Sequence, residues 1–528
     1  MKRLIILVLT LITFTSCSIQ RLRTLITKTA KIEYVKPSNY EELNKYQKDA
    51  VYLTELIGKS YPRLELKIPD QDYSYESEKL ISDLSKVEND LDFQVRVRKF
   101  MVLLKDGHSD IGVFPPKNDG HFYLHLYKEK DDWIIENIDR TIDSIIIGSR
   151  IISINQIPID EIELRISQFE CVENPFRANS KFLAHALIPL YWEAMGVIED
   201  KGDLNLTVVK DNEKKTITIQ PKLEGEFYKI ALEKWKYPFT RQQNDGFYYK
   251  IDSVRNFAYL QMNTSLDYVS VKSDIKKYTN FLTRPIALMV MKNQTKDARD
   301  FGLVLQSMFH EINKNSIENL IIDLRNNWGG DLRPGKQLIW YLTDKHEIKG
   351  FTEYLRISDY YKLKSKSVYK ELNESYQGKY GKPIPYGMIN ITDDFSNQTY
   401  FYDITKEDSP FLLDQSLPKF KGNVYVITGV NTFSAGQSLA TTIADNHLAT
   451  IVGEPTGQKP TSQTGTSIFK LPHTKSIVTL SCGYNERPNK LKNHEIALFP
   501  DIEIYPTFEE YLSGVDIQFE YIMNEIKN

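Results

Sequence analysis

The run Asn423-Val424-Tyr425-Val426-Ile427-Thr428 is β-branched and aromatic, closes on Gly429, and gives way to a stretch where Ala435, Leu439, Ala440 and Ile443 recur at helical spacing. A buried strand must therefore turn into an amphipathic helix within Asn431-Thr432-Phe433-Ser434-Ala435-Gly436, which commits this part of the chain to a sheet covered by helices. Small neighbours leave the Ser434 hydroxyl open, and the first N–H groups of the following helix face the same point. Serine is also a favoured helix N-cap, so on this segment alone cap and nucleophile stand equally.

A second unit repeats the pattern. Asn319 to Asp323 reads as a strand, Leu324-Arg325-Asn326-Asn327-Trp328-Gly329-Gly330 as the turn, and Leu338, Ile339 and Leu342 as the inner face of a helix. Paired glycines let main-chain N–H groups approach a ligand without a Cβ in the way, a geometry suited to negative charge. Both turns can face one crevice at the carboxyl edge of a sheet, where open α/β folds place their sites.

DLRNNWGG, NTFSAGQS and VGEPTGQKP together resemble the sequence blocks of the C-terminal processing (tail-specific) protease family, which includes the tricorn core. Leu103-Leu104-Lys105-Asp106-Gly107-His108-Ser109 resembles the histidine block of its tricorn-like branch, and Pro500 to Thr507 with Tyr511 to Asp516 the closing segment. The blocks keep the family's order over residues 45 to 520. The resemblance implies a multidomain α/β protein with a helical N-terminal cap, a PDZ-like β domain and a crotonase-like βα-repeat (spiral) catalytic core. It implies a serine endopeptidase working by acyl transfer, with Ser434 as nucleophile and backbone N–H groups of Gly330, Gly329 and Ala435 around the oxyanion.

Two residues qualify as the base. Lys459 stands at the processing-branch distance from Ser434, but a lysine needs burial to shed its charge near neutral pH. His108 needs no such shift. Gln437 replaces a glutamate of the processing branch, and the turn Gly453 to Pro460 looks more tricorn-like, so His108 is favoured and Lys459 becomes a rim charge. Triad logic asks for a carboxylate to orient the histidine, and Glu495 is the candidate. Ser109 matches an assisting polar position, while Asp323 and Arg325 are expected to brace the strand and turn.

Lys2-Arg3, the apolar stretch Leu4 to Ile12, and Phe14-Thr15-Ser16-Cys17 look like a bacterial lipoprotein signal. Cleavage before Cys17 and lipidation there would anchor the mature chain at the cell envelope. The expected organisation is a signal at 1–16, a tether at 17–40, the cap with the histidine block at 41–115, a PDZ-like domain with a helical insertion at 120–225, and the catalytic domain at 226–528 with a variable insertion at 345–419. That insertion reads as a lid or substrate wall, or as a solvated excursion. PDZ folds take up a peptide as an added strand, and the helical insertion at about 165–198 could occlude that groove.

A net charge of −3 with dispersed lysines and arginines gives no electrostatic footprint for nucleic acid. No histidine–carboxylate spacing implies a metal, and no cofactor is expected. Outside Cys17, Cys171 and Cys482 are read as separate buried thiols. The expected partners are a peptide or protein substrate and a membrane reached through the anchor. Two other readings stay open: a non-catalytic peptide- or glycan-binding lipoprotein on the same scaffold, and an esterase.

Overall fold

The structure, a computed structural model, describes residues 32–115, 119–199, 202–230, 235–241, 246–278, 284–285, 300–344, 348–392, 400–405, 409–411 and 413–527. The signal, Cys17 and most of the tether lie outside the described residues. Among the described residues no helix is long and apolar enough to cross a membrane.

The two strands read from sequence lie side by side. Asn319–Asp323 pairs in parallel with Asn423–Thr428, and the sheet continues in the order Ile502–Glu503, Thr450–Gly453, Asn423–Thr428, Asn319–Asp323, Phe257–Met262, Phe247–Asp252. Only the last pair is antiparallel. Leu320 and Ile322 pack beneath the helices Phe301–Lys314, Arg333–Leu342 and Ala435–Asp445, whereas Ile321 and Ile427 meet Phe519, Ile522 and Met523 of Ile517–Lys527 on the opposite face. Burial on both faces explains why these strands are uninterrupted apolar runs.

A second sheet is antiparallel. Ile477–Glu486 runs between Ser462–Lys470 on one side and, on the other, Thr352–Ile357 together with the short strand Asp110–Ile111. The helices Lys45–Ser60 and Asp90–Met101 pack onto it, so Leu53, Leu56, Phe93 and Val97 share one apolar cluster with Phe469, Val478 and Leu480. The N-terminal helices thus bury their apolar stripes against strands from the far end of the chain. Register in Asp110–Ile111, paired with Thr479 and Val478, fixes the segment just after His108.

The third sheet, Leu124–Glu129, Asp132–Ile138, Arg150–Ile154, Leu204–Lys210 and Glu213–Ile219, is antiparallel and carries the helices Ile159–Ser167, Pro175–His185 and Pro189–Ala194 in its own core. The hairpin at Asp211-Asn212 has positive φ at both residues, the geometry that two-residue turns between twisted strands require. Cys171 and Cys482 are free thiols.

Candidate active site

Ser434 stands between Asn423–Thr428 and Ala435–Asp445 with φ 52° and ψ −120°, outside the extended backbone of an ordinary N-cap, and its side chain caps nothing. The two turns are laced together. Thr432 Oγ1 donates to Leu324 O at 2.8 Å, Phe433 N to Asn327 O at 2.9 Å, and Asn327 Oδ1 accepts from Gly329 N at 3.0 Å. A Cβ on Gly329 would lie 2.6 Å from Ser434 Cβ, so only glycine lets the turns approach this closely. Ser434 N donates to Gln458 Oε1 at 2.5 Å, and Gln458 Nε2 is held by Ser462 Oγ at 2.9 Å. Gln458 pins the unusual backbone, a role with no signature in a single sequence.

His108 reaches this point from 326 residues away, its Nε2 3.2 Å from Ser434 Oγ. The approach is prepared locally. Lys105 ends the helical turn Val102–Leu104 in a left-handed conformation, and the buried Asp106 accepts the His108 N–H on Oδ1 at 2.9 Å. Asp106 Oδ2 accepts from Ser109 Oγ at 2.5 Å, Ser481 Oγ at 2.7 Å and Tyr61 OH at 3.0 Å. The His108 ring lies 4.8 Å from that of Phe433. Burial lowers the imidazole pKa and the nearby Asp106 works against that shift, so the neutral, proton-accepting form is favoured.

Several expected site residues sit elsewhere. Glu495 does not face the histidine: it accepts from Arg487 Nη1 at 2.6 Å, because the fully buried Arg487 guanidinium needs both Glu495 and Asp445 to balance its charge. Gly329 is no oxyanion donor, since its N–H is spent on Asn327. Ser109 does not reach Ser434; its hydroxyl is tied to Asp106 and accepts from Ser481 N at 3.0 Å. Lys459 makes no hydrogen bond to Ser434 and is absent from the wall of the adjoining cavity, although Gln458 and Pro460 line it. Burial lowers the Lys459 pKa.

The N–H groups of Gly330 and Ala435 donate to no other group among the described residues. Both residues line a cavity of about 620 Å³ together with Ser434 and His108, and the 345–419 region adds Phe351 and Glu353 to its wall. Asp323 and Arg325 brace the turn as expected, Arg325 also binding Asp516 through both terminal nitrogens at 2.8 and 2.9 Å.

The helical insertion docks on this same turn, which sequence reasoning did not foresee. Arg177 Nη1 donates to Asn431 Oδ1 at 2.6 Å and its guanidinium lies 5.4 Å from the Phe433 ring centre, while Asn174 Nδ2 donates to Thr456 O and Ile496 O. Glu173, one residue before, places its carboxylate beside Asp106 and His108. Ligand-capable atoms of these three lie within 4.8 Å of one another. Both Asp106 oxygens in this group already accept hydrogen bonds.

Residues 286–504 match the model of peptidase family S41. The matched stretch carries Ser434 and both glycine-bearing turns. The chain is a serine-type peptidase, and its substrates are peptides or proteins. No curated protein matches this peptidase by sequence. Among solved structures, mature CPAF superposes with a TM-score of 0.57 at 13% identity, over 92% of this chain and 96% of that one. CPAF complexed with lactacystin gives the same score and identity over 92% and 97%, and a serine-to-alanine mutant of CPAF gives 0.56 at 13% over 92% and 96%. At this identity the likeness establishes the shared fold.

Proposed function

We propose that this peptidase is an endopeptidase of the bacterial cell envelope, anchored through a lipidated Cys17, in which Ser434 is the nucleophile and His108 the general base. The observation that carries the catalytic assignment is the 3.2 Å contact between His108 Nε2 and Ser434 Oγ. As Ser434 Oγ bonds to the scissile carbonyl carbon, its proton passes to Nε2, and the carbonyl oxygen becomes an oxyanion. The unengaged N–H groups of Gly330 and Ala435 receive that charge. The protonated His108 then delivers its proton to the departing amine, and water repeats the sequence to release the acyl group. Desolvation of the imidazole suits it to accept a proton at neutral pH. Lys459, which makes no hydrogen bond to the hydroxyl, serves as a charge near the rim.

The antiparallel sheet with its helices supports reading residues 120–225 as a PDZ-like domain, and the mostly parallel sheet with its helices supports a crotonase-like core. The anchor rests on Ser16-Cys17 following an apolar stretch. Covalent labelling with a serine-directed fluorophosphonate, followed by peptide mapping, tests the site: the adduct is expected on Ser434, absent from Ser434→Ala. Labelling elsewhere, or hydrolysis by Ser434→Ala, overturns it.

A further inference from the structure

Three buried polar atoms beside the reacting pair have no hydrogen-bond partner: His108 Nδ1 and both carboxylate oxygens of Glu173. Asp106 does not supply the missing acceptor. Its nearer oxygen is 3.8 Å from Nδ1 and already accepts the His108 backbone N–H, while the other oxygen accepts three hydroxyls. Glu173 comes from the insertion, between the helices Ile159–Ser167 and Pro175–His185, and Oε2 would lie 2.9 Å from a Cβ at Gly107, so the carboxylate presses against the residue preceding His108. Buried polar groups are almost always paired. A ring nitrogen of His108 and a Glu173 carboxylate oxygen lie within 4.8 Å of each other, so the unpartnered Nδ1 and carboxylate can satisfy one another by a rotation of either side chain.

We infer that Glu173 is the positioning residue for His108, its ionised carboxylate accepting the Nδ1–H hydrogen bond while Nε2 takes the proton of Ser434. This rests on the assignment of His108 as base. The Oγ–H bond breaks and Nε2–H forms; the Nδ1 proton stays on the ring and Glu173 stays ionised, so the imidazolium is compensated in place. Protonated Glu173 has the opposite effect. Its O–H would donate to Nδ1, the ring would then carry its proton on Nε2, and no lone pair would face Ser434.

The charged groups around Glu173 set which form prevails. Burial and Asp106 raise its pKa and Lys67 opposes them, leaving it pushed up to about 8. Tyr61, Arg177 and His108 complete its surroundings. The competent form is therefore populated as pH rises through that region.

The wild-type rate of Ser434 labelling by a fluorophosphonate, and kcat/KM on a peptide substrate, are measured from about pH 5 to about pH 10, a range that brackets both groups. One rise is expected, near the Glu173 value of about 8, because the form with Glu173 protonated has no lone pair facing Ser434 and the His108 ionisation only steepens the fall below it. In Glu173→Gln the rise moves down to the His108 ionisation, and kcat falls by up to the ~10⁴ lost when a triad carboxylate is amidated, since the amide can hold the wrong tautomer, with KM little changed. Glu173→Asp should bring back the upper rise in part. A wild-type rate already at its plateau by about pH 7 overturns the inference whether or not the variants fold, as does a folded Glu173→Gln enzyme with the wild-type rate and profile. Loss of labelling in the wild type itself would instead overturn the serine–histidine assignment beneath it.

Discussion

Ser434 occupies a backbone conformation that a side chain rarely adopts, at a cost of about 1–3 kcal/mol, and its surroundings hold it there. Gln458 takes its N–H, Asn327 ties the neighbouring turn, and Gly329 leaves room for its Cβ. Glycine relieves that strain and alanine does not, so Ser434→Gly is expected to be more stable than Ser434→Ala by about 1 kcal/mol in urea unfolding, with both inactive. Equal stability would show that the turn is unstrained. The choice of base is also tested by single substitutions. His108→Ala should lower turnover by about 10²–10⁴-fold, while Lys459→Ala should cost under about tenfold and act mainly on KM. The reverse pattern in folded variants would place the lysine at the hydroxyl.

At the scale of elements, the insertion joins the histidine loop to the serine turn. Arg98, on Asp90–Met101, donates to Glu170 at 2.6 Å; Glu170 also binds His185 at 2.7 Å, and Lys181 bridges Glu170 to Asp110 two residues after His108. Against the burial that would raise it, hydrogen bonding and charge hold Glu170 at about 2, so its carboxylate stays ionised. From the same insertion Arg177 grips Asn431. Arg177→Ala is expected to lose about 1.5–3 kcal/mol of stability, the usual worth of a hydrogen bond to a charged group, and to lower kcat several-fold in protein that remains folded. Wild-type kcat in that variant would reduce the insertion to a spacer. The strands and the hairpin were legible because their periodicity is local. The docking was not, since a charged residue on a helix reads as solvated until its partner from 254 positions away is placed beside it.

At the scale of the whole molecule, the site is assembled from segments that fold into different sheets, while attachment depends on residues outside the described ones. Cys17→Ser should move the protein from the membrane fraction to the soluble fraction without altering the kinetics of the purified mature domain. Retention in the membrane, or a mature N-terminus elsewhere, would end the lipoprotein reading. The sequence by itself determined the two strand–turn–helix units, the serine and glycines at their turns, and the likeness to a peptidase family, because each depends on the chemistry of neighbouring residues. Only the tertiary structure brought His108 rather than Lys459 to the Ser434 hydroxyl, spent Glu495 on Arg487 and the Gly329 N–H on Asn327, and set Glu173 beside the histidine. Those outcomes turn on which buried charges and unpaired donors must find partners across hundreds of residues, and that competition is resolved by packing.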